Sequence, residues 1–170
     1  MSLYWGMIIF WRYLIKMKKI KWCFLTNGGL KLIEPNLIVS NSYLDQAEKT
    51  LSKIKQLIEE EDFVWASARI YYSAYYLVNS FLQKIGVKSE NHDCSIELIK
   101  YLFEKDFDLG LFKKNRIDSQ YYFKFRQKKD LFELYSKVKL FYLEFREQIE
   151  LFGEKKIEGV RIKLRGFLDE

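Results

Sequence analysis

The stretch FVWASARIYYSAYYLVNSFLQKI, residues 63–85, decides the fold. It is apolar on nearly every side of a helix, which predicts a helix enclosed by others and not one lying on a surface. Ala66, Ala68 and Ala74 let neighbouring backbones approach, while Ile70, Leu77 and Phe81 fill space. Gly86 follows as the C-terminal cap, a position that favours a left-handed residue. Arg69 and Asn79 are the polar exceptions, and each is expected to reach an edge or a partner.

Upstream, Leu44, Ala47, Leu51, Ile54 and Ile58 recur every three or four positions and predict a helix from about Ser42 to Glu60, capped by Asn41 or Ser42. The acidic run Glu59-Glu60-Glu61-Asp62 marks the junction with the central helix, and its charge suits a helix N-terminus. Residues 19–35, KIKWCFLTNGGLKLIEP, predict a small β-hairpin. Two apolar runs flank Asn27-Gly28-Gly29, which supplies the positive φ angles of a tight turn, and Pro35 ends the element. Downstream, the polar loop VKSENHD leads to a helix at about 94–105, then an irregular or briefly helical link over 106–115. A long helix beginning near 116–120 is expected to run to about Phe152 through Leu131, Leu134, Val138, Phe141, Phe145 and Ile149. A short amphipathic helix closes the chain after Gly153. The expected architecture is an all-α antiparallel bundle of four to five helices with a small N-terminal β-hairpin. Its domain spans 18–153, preceded by an apolar extension over 1–17 and followed by a helical tail over 154–170.

Composition agrees with this reading. Of 170 residues, 49% are hydrophobic and 18% aromatic, which excludes a disordered chain, and a single proline leaves few forced helix breaks. The net charge of +6 belongs to the N-terminus: residues 1–33 carry six basic and no acidic side chains, and the remainder holds 23 of each. Within that neutral body, residues 111–130 still hold seven basic residues against two aspartates. Such a patch either contacts phosphate or forms a solvated helix face. The first sixteen residues, MSLYWGMIIFWRYLIK, are apolar but interrupted by Arg12 and short for a bilayer span. They are read as a translated upstream extension with Met17 as the start, the alternative being an interfacial membrane anchor. Cys23 and Cys94 have no metal-ligand spacing and are expected as packed thiols in a reducing cytoplasm.

No nucleotide-cradling glycine loop, serine-hydrolase elbow or zinc-protease helix is present. With His92 as the one histidine, neither a metal site nor any cofactor is expected. His92 either caps or packs at the start of its helix, or serves as a base brought to the site from there. Tyr71, Tyr72, Tyr75 and Tyr76 form two adjacent pairs on the central helix and read as core, with a base-stacking platform as the alternative.

The run SARIYYSAYYLVNSFLQKIG followed by KSENH, with LKLIEPN and YLDQAEKTL before it, resembles the HEPN family (higher eukaryotes and prokaryotes nucleotide-binding). The likeness covers roughly residues 18–150 as a pattern. It implies a dimerising helical bundle. Active members are metal-independent ribonucleases whose Arg-x(4–6)-His motifs meet across the dimer, and others are non-catalytic partners of a small nucleotidyltransferase in toxin–antitoxin pairs. Arg116 matches the motif arginine, and Tyr121 stands where the histidine belongs. Tyrosine, with a pKa of about 10, is a poor base near neutral pH.

The resulting expectation is a cytoplasmic homodimeric binding protein, paired with a small nucleotidyltransferase and contacting RNA or nucleotide through Lys113, Lys114, Arg116, Lys124, Arg126, Lys128 and Lys129. The enzyme alternative is a ribonuclease in which Arg116 clamps phosphate, Tyr121 or Tyr122 donates a proton, Asp118 orients them and His92 supplies the base. Positions five apart on a helix differ by about 140°. A combined Arg116–Tyr121 site is therefore expected to need Arg116 in a preceding turn, or a second subunit.

Overall fold

The computed structural model describes residues 2–168, with side chains from residue 14 onward. Its elements run α1 (Ser2–Leu25), β1 (Leu30–Leu32), α2 (Leu37–Ser52), α3 (Ile54–Glu59), α4 (Phe63–Ile85), β2 (Val87–Ser89), α5 (His92–Phe103), α6 (Leu109–Tyr122), α7 (Lys128–Leu151) and α8 (Glu154–Arg165). Residues 2–17, expected as an extension preceding the domain, form the first part of α1 and continue without a break into residues 18–25. No helix among the described residues is long and apolar enough to cross a membrane.

The all-α bundle is as expected, and α4 is its axis. Ile70, Tyr71, Ala74, Leu77, Val78 and Phe81 are each buried, and α2, α6 and α7 pack around them. Asp62 caps α4 by accepting from the Trp65 amide at 3.2 Å. Gly86 ends it in the left-handed region at φ 72°. Arg161, reaching in from α8, donates to the carbonyls of Ile33, Ile85 and Gly86 at 2.8, 3.0 and 3.1 Å. One buried cation thus serves the negative end of the α4 dipole, where unpaired carbonyls would otherwise be desolvated.

Three boundaries differ from expectation. A two-stranded antiparallel element is present and contains Leu30–Leu32, but its partner is Val87–Ser89, with Lys31 opposite Lys88. Residues 19–25 lie in α1, because Ile20 and Cys23, three positions apart, bury one helical face. The Asn27-Gly28-Gly29 turn carries the chain from α1 into β1, and the Gly28 carbonyl accepts from the amides of Glu90 and Asn91. The first bundle helix starts earlier, at Leu37 behind the Asn36 cap, and is interrupted at Lys53. The anticipated long C-terminal helix is two helices. Phe123 adopts φ 51° and closes α6, and α7 starts at Lys128.

The cysteines also differ from expectation. Cys23 and Cys94 form a disulfide that joins α1 to α5 across 71 residues of sequence. Both are buried, as anticipated for packed thiols, but the two positions face each other at a Cα separation of 5.5 Å, which suits a bridge.

Candidate functional site

The site is built where α6 and the start of α5 meet α4. On α6, Leu109, Phe112, Asn115 and Ser119 turn inward, and Ser119 donates to Ser67 of α4 at 3.0 Å. This registers α6 on α4 and delivers the neighbouring Arg116 to the tyrosine-rich segment. Arg116 donates to the Tyr72 hydroxyl at 2.9 Å, and its guanidinium lies 5.0 Å from the Tyr71 ring and 5.5 Å from the Tyr72 ring. Its Nε is buried without an acceptor, and no carboxylate pairs with it among the described residues. A half-buried guanidinium held by aromatic faces and a neutral hydroxyl keeps an uncompensated charge.

His92 arrives from the other side. Asn91 caps α5 by accepting from the amides of Asp93 and Cys94 at 2.9 and 3.2 Å, which fixes the entry of the chain at His92. The imidazole stacks on Tyr75 at 4.0 Å, and its Nδ1 lies 2.5 Å from the Tyr71 hydroxyl. Burial, reinforced by the neighbouring Tyr75, raises the Tyr71 phenol well above the tyrosine range, against the pull of Arg116. Tyr71 therefore stays protonated. The imidazole tautomer sets which of the two supplies the shared proton. Burial lowers the His92 pKa, helped by the positive charges of Arg116 and Lys113 and opposed by Asp93.

The pH dependence follows from that direction. The unfolded value is about 6.5, so the contribution of neutral His92 to stability is fully present above it and is lost as pH falls through the folded-state value. Denaturant titrations at pH 7.5 and 5 are expected to show a loss of stability on the acid side that His92→Gln reduces. An identical loss in that variant would assign the effect to other groups.

The structure distributes the sequence-predicted residues unevenly. Arg116, Tyr121 and His92 converge through Tyr71 and Tyr72. Arg116 and Tyr121 both lie within α6, yet the guanidinium reaches 5.9 Å from the Tyr121 ring. The length of the arginine side chain brings the two groups this close although both residues are helical. Asp118 faces Lys114 at 3.9 Å. Tyr122 is exposed beneath Lys124, and Phe123 and Phe125 are exposed beside it.

Several members of the basic patch are engaged inside the chain. Lys113 pairs with Asp93 at 2.6 Å, Arg126 donates to Asn115 at 2.8 Å, and Lys128 lies 3.1 Å from the Glu59 carbonyl and 3.4 Å from Glu61. Lys114, Lys124 and Lys129 are exposed. Tyr71 and Tyr72, read from sequence as core or platform, turn out to join His92 to Arg116. Their place on the central helix was visible, but partners 21 and 44 residues away leave no local signal. No group of three or more metal-ligating side chains occurs among the described residues.

A central tyrosine-rich helix enclosed by other helices makes this an all-α helical-bundle domain. The family model for the HEPN domain matches residues 40–158, and the chain belongs to that family. No curated protein and no solved structure matches it.

Proposed function

We propose that the protein is a HEPN-type homodimeric binding partner that contacts phosphate of RNA or nucleotide at Arg116, and that it pairs with a small nucleotidyltransferase in a toxin–antitoxin-like module. The observation that supports this most is the uncompensated guanidinium of Arg116, held in place by Tyr71 and Tyr72. A phosphate oxygen offers that cation what the chain does not, a charge-assisted and geometrically matched acceptor. Lys114 on α6, Lys124 just after it and Lys129 at the start of α7 are exposed cations that a phosphate chain could meet.

The second reading, a metal-independent ribonuclease, draws on the arrival of His92 near Arg116 in place of the missing motif histidine. Transesterification requires a base to take the proton of the 2′-hydroxyl. Nδ1 of His92 is engaged with the Tyr71 hydroxyl, Tyr71 resists ionisation, and a tyrosine stands at the motif's histidine position. That chemistry favours binding over cleavage.

Single-stranded RNA is expected to bind at low salt with affinity that falls as salt rises, because phosphate contacts release counterions. Arg116→Ala should weaken binding by about 10- to 100-fold, as for loss of a hydrogen bond to a charged group. RNA should remain intact in the presence of the wild-type protein. Unchanged affinity in Arg116→Ala would refute the phosphate role. Cleavage abolished by His92→Ala would establish the ribonuclease reading instead. Co-purification from the native source, with a nucleotidyltransferase absent from the complex, would refute the pairing.

A further inference from the structure

The face of α4 on the other side of Tyr72 holds a second feature of the same kind. Trp65, Arg69, Tyr72 and Tyr76 follow one another along α4 at steps of four, three and four residues, and so share one face. With Gln46 of α2 they line a cleft of about 290 Å³. Its walls are aromatic: Tyr76 stacks on Tyr72 at 6.0 Å and on Tyr43 at 6.1 Å, and Trp65 at the mouth is 58% exposed. Arg69 is half-buried, and the described residues provide it with no ion-pair partner.

Other half-buried or buried cations are differently placed. Arg161 sits on three carbonyls, Lys84 on the Ile149 carbonyl, Lys113 on Asp93, Lys100 on Asp106 and Arg126 on Asn115. Among the described residues, Arg116 and Arg69 are two guanidiniums without a carboxylate partner, and both border Tyr72. A ligand that satisfies both must carry anionic charge, and one that fills the cleft between the aromatic walls must be flat and apolar on its faces. A nucleotide unit of a single-stranded polynucleotide has both properties, with the anion and the ring joined by a short flexible sugar.

We propose that the α4 face bounded by Trp65, Arg69, Tyr72 and Tyr76 is a nucleotide pocket for single-stranded RNA. The base stacks against Trp65, its edge faces the Gln46 amide, and the adjoining phosphate lies between Arg69 and Arg116. The pocket deepens the phosphate role assigned to Arg116 and rests on it. It gives the strand a direction across the protein, from the α2–α4 cleft over Tyr72 to α6. No covalent step is involved.

The test uses the full chain and two probes, r(U)8 and r(A)8, followed by tryptophan emission and by filter binding over a salt series. Binding is expected to quench the emission, and Trp65→Leu should remove most of that quenching and weaken binding about tenfold, as for loss of one stacked base. Arg69→Gln should weaken binding and lower the salt slope by about 0.7, one single-strand phosphate contact. Both altered side chains lie at the surface or the cleft wall, and far-UV circular dichroism checks that the helices persist. Unchanged affinity and slope in both variants, with Arg116→Ala still impaired, would overturn the pocket and leave the Arg116 reading standing. Failure of the wild type to bind either oligonucleotide would remove both. Retained binding in Trp65→Leu with a changed sedimenting mass would assign this face to contact between copies of the chain, and would also overturn the pocket.

Discussion

Gly86→Ala is expected to lower stability by about 4 kcal/mol, a loss at the high end for one substitution. Three effects combine at this position. Its φ of 72° lies in the region that a β-carbon disfavours, which alone costs about 1 kcal/mol or more. A β-carbon here would also stand 2.5 Å from the Ile33 carbonyl oxygen and 2.0 Å from Nη1 of Arg161. Moving the guanidinium away strips the Ile33, Ile85 and Gly86 carbonyls of their donor and leaves a buried charge without its acceptors. Because the last two effects share one group, Gly86→Ala and Arg161→Ala should be less than additive in a double-mutant cycle. Urea midpoints of the four proteins provide the readout. A cost below about 1 kcal/mol for Gly86→Ala, or full additivity, would mean that Arg161 does not seat on the end of α4.

Breaking the Cys23–Cys94 bridge should have an effect of similar size. Closing a loop of 71 residues restricts the unfolded chain enough to contribute about 4 kcal/mol in the chain-entropy account. Both sulfurs are buried, so reductant is expected to act only when opening of the fold exposes them. Cys94→Ala should unfold at a lower urea concentration than the oxidised wild type. Wild type reduced in denaturant and refolded under reductant should match the variant, and reductant should leave the variant unchanged. Two free thiols in unreduced, denatured protein would show that the bond does not form.

The parts of this fold that could be read from sequence are those governed by neighbours along the chain. The span of α4 was legible because its apolar run, the acidic residue before it and Gly86 after it all act within a few residues. The apolar steps of α7 were legible for the same reason. The break between α6 and α7 was not, because Tyr121 to Phe125 continue the apolar pattern and the residue that ends α6 is Phe123, not a glycine. The pairing of Leu30–Leu32 with Val87–Ser89 was hidden by Asn27-Gly28-Gly29, whose local chemistry resembles a hairpin turn whichever strand lies opposite. The site divides in the same way. Arg116 was found from its motif, whereas its environment of Tyr71, Tyr72 and His92 comes from two other elements.

The boundary of the family is not the boundary of what holds this molecule together. Arg161 and Phe167 lie beyond the matched segment on one side, and Phe24 and Cys23 on the other. Phe24 and Phe167 stack on each other at 6.2 Å, and Phe167 also meets Tyr101 edge-on at 5.8 Å. The two flanking segments are thus clasped over α5 and over the end of α4. Residues 40–158 moved alone into another protein would arrive with the α4 carbonyls bare, one cysteine unpaired and an aromatic face uncovered. Portability belongs to the whole clasped unit.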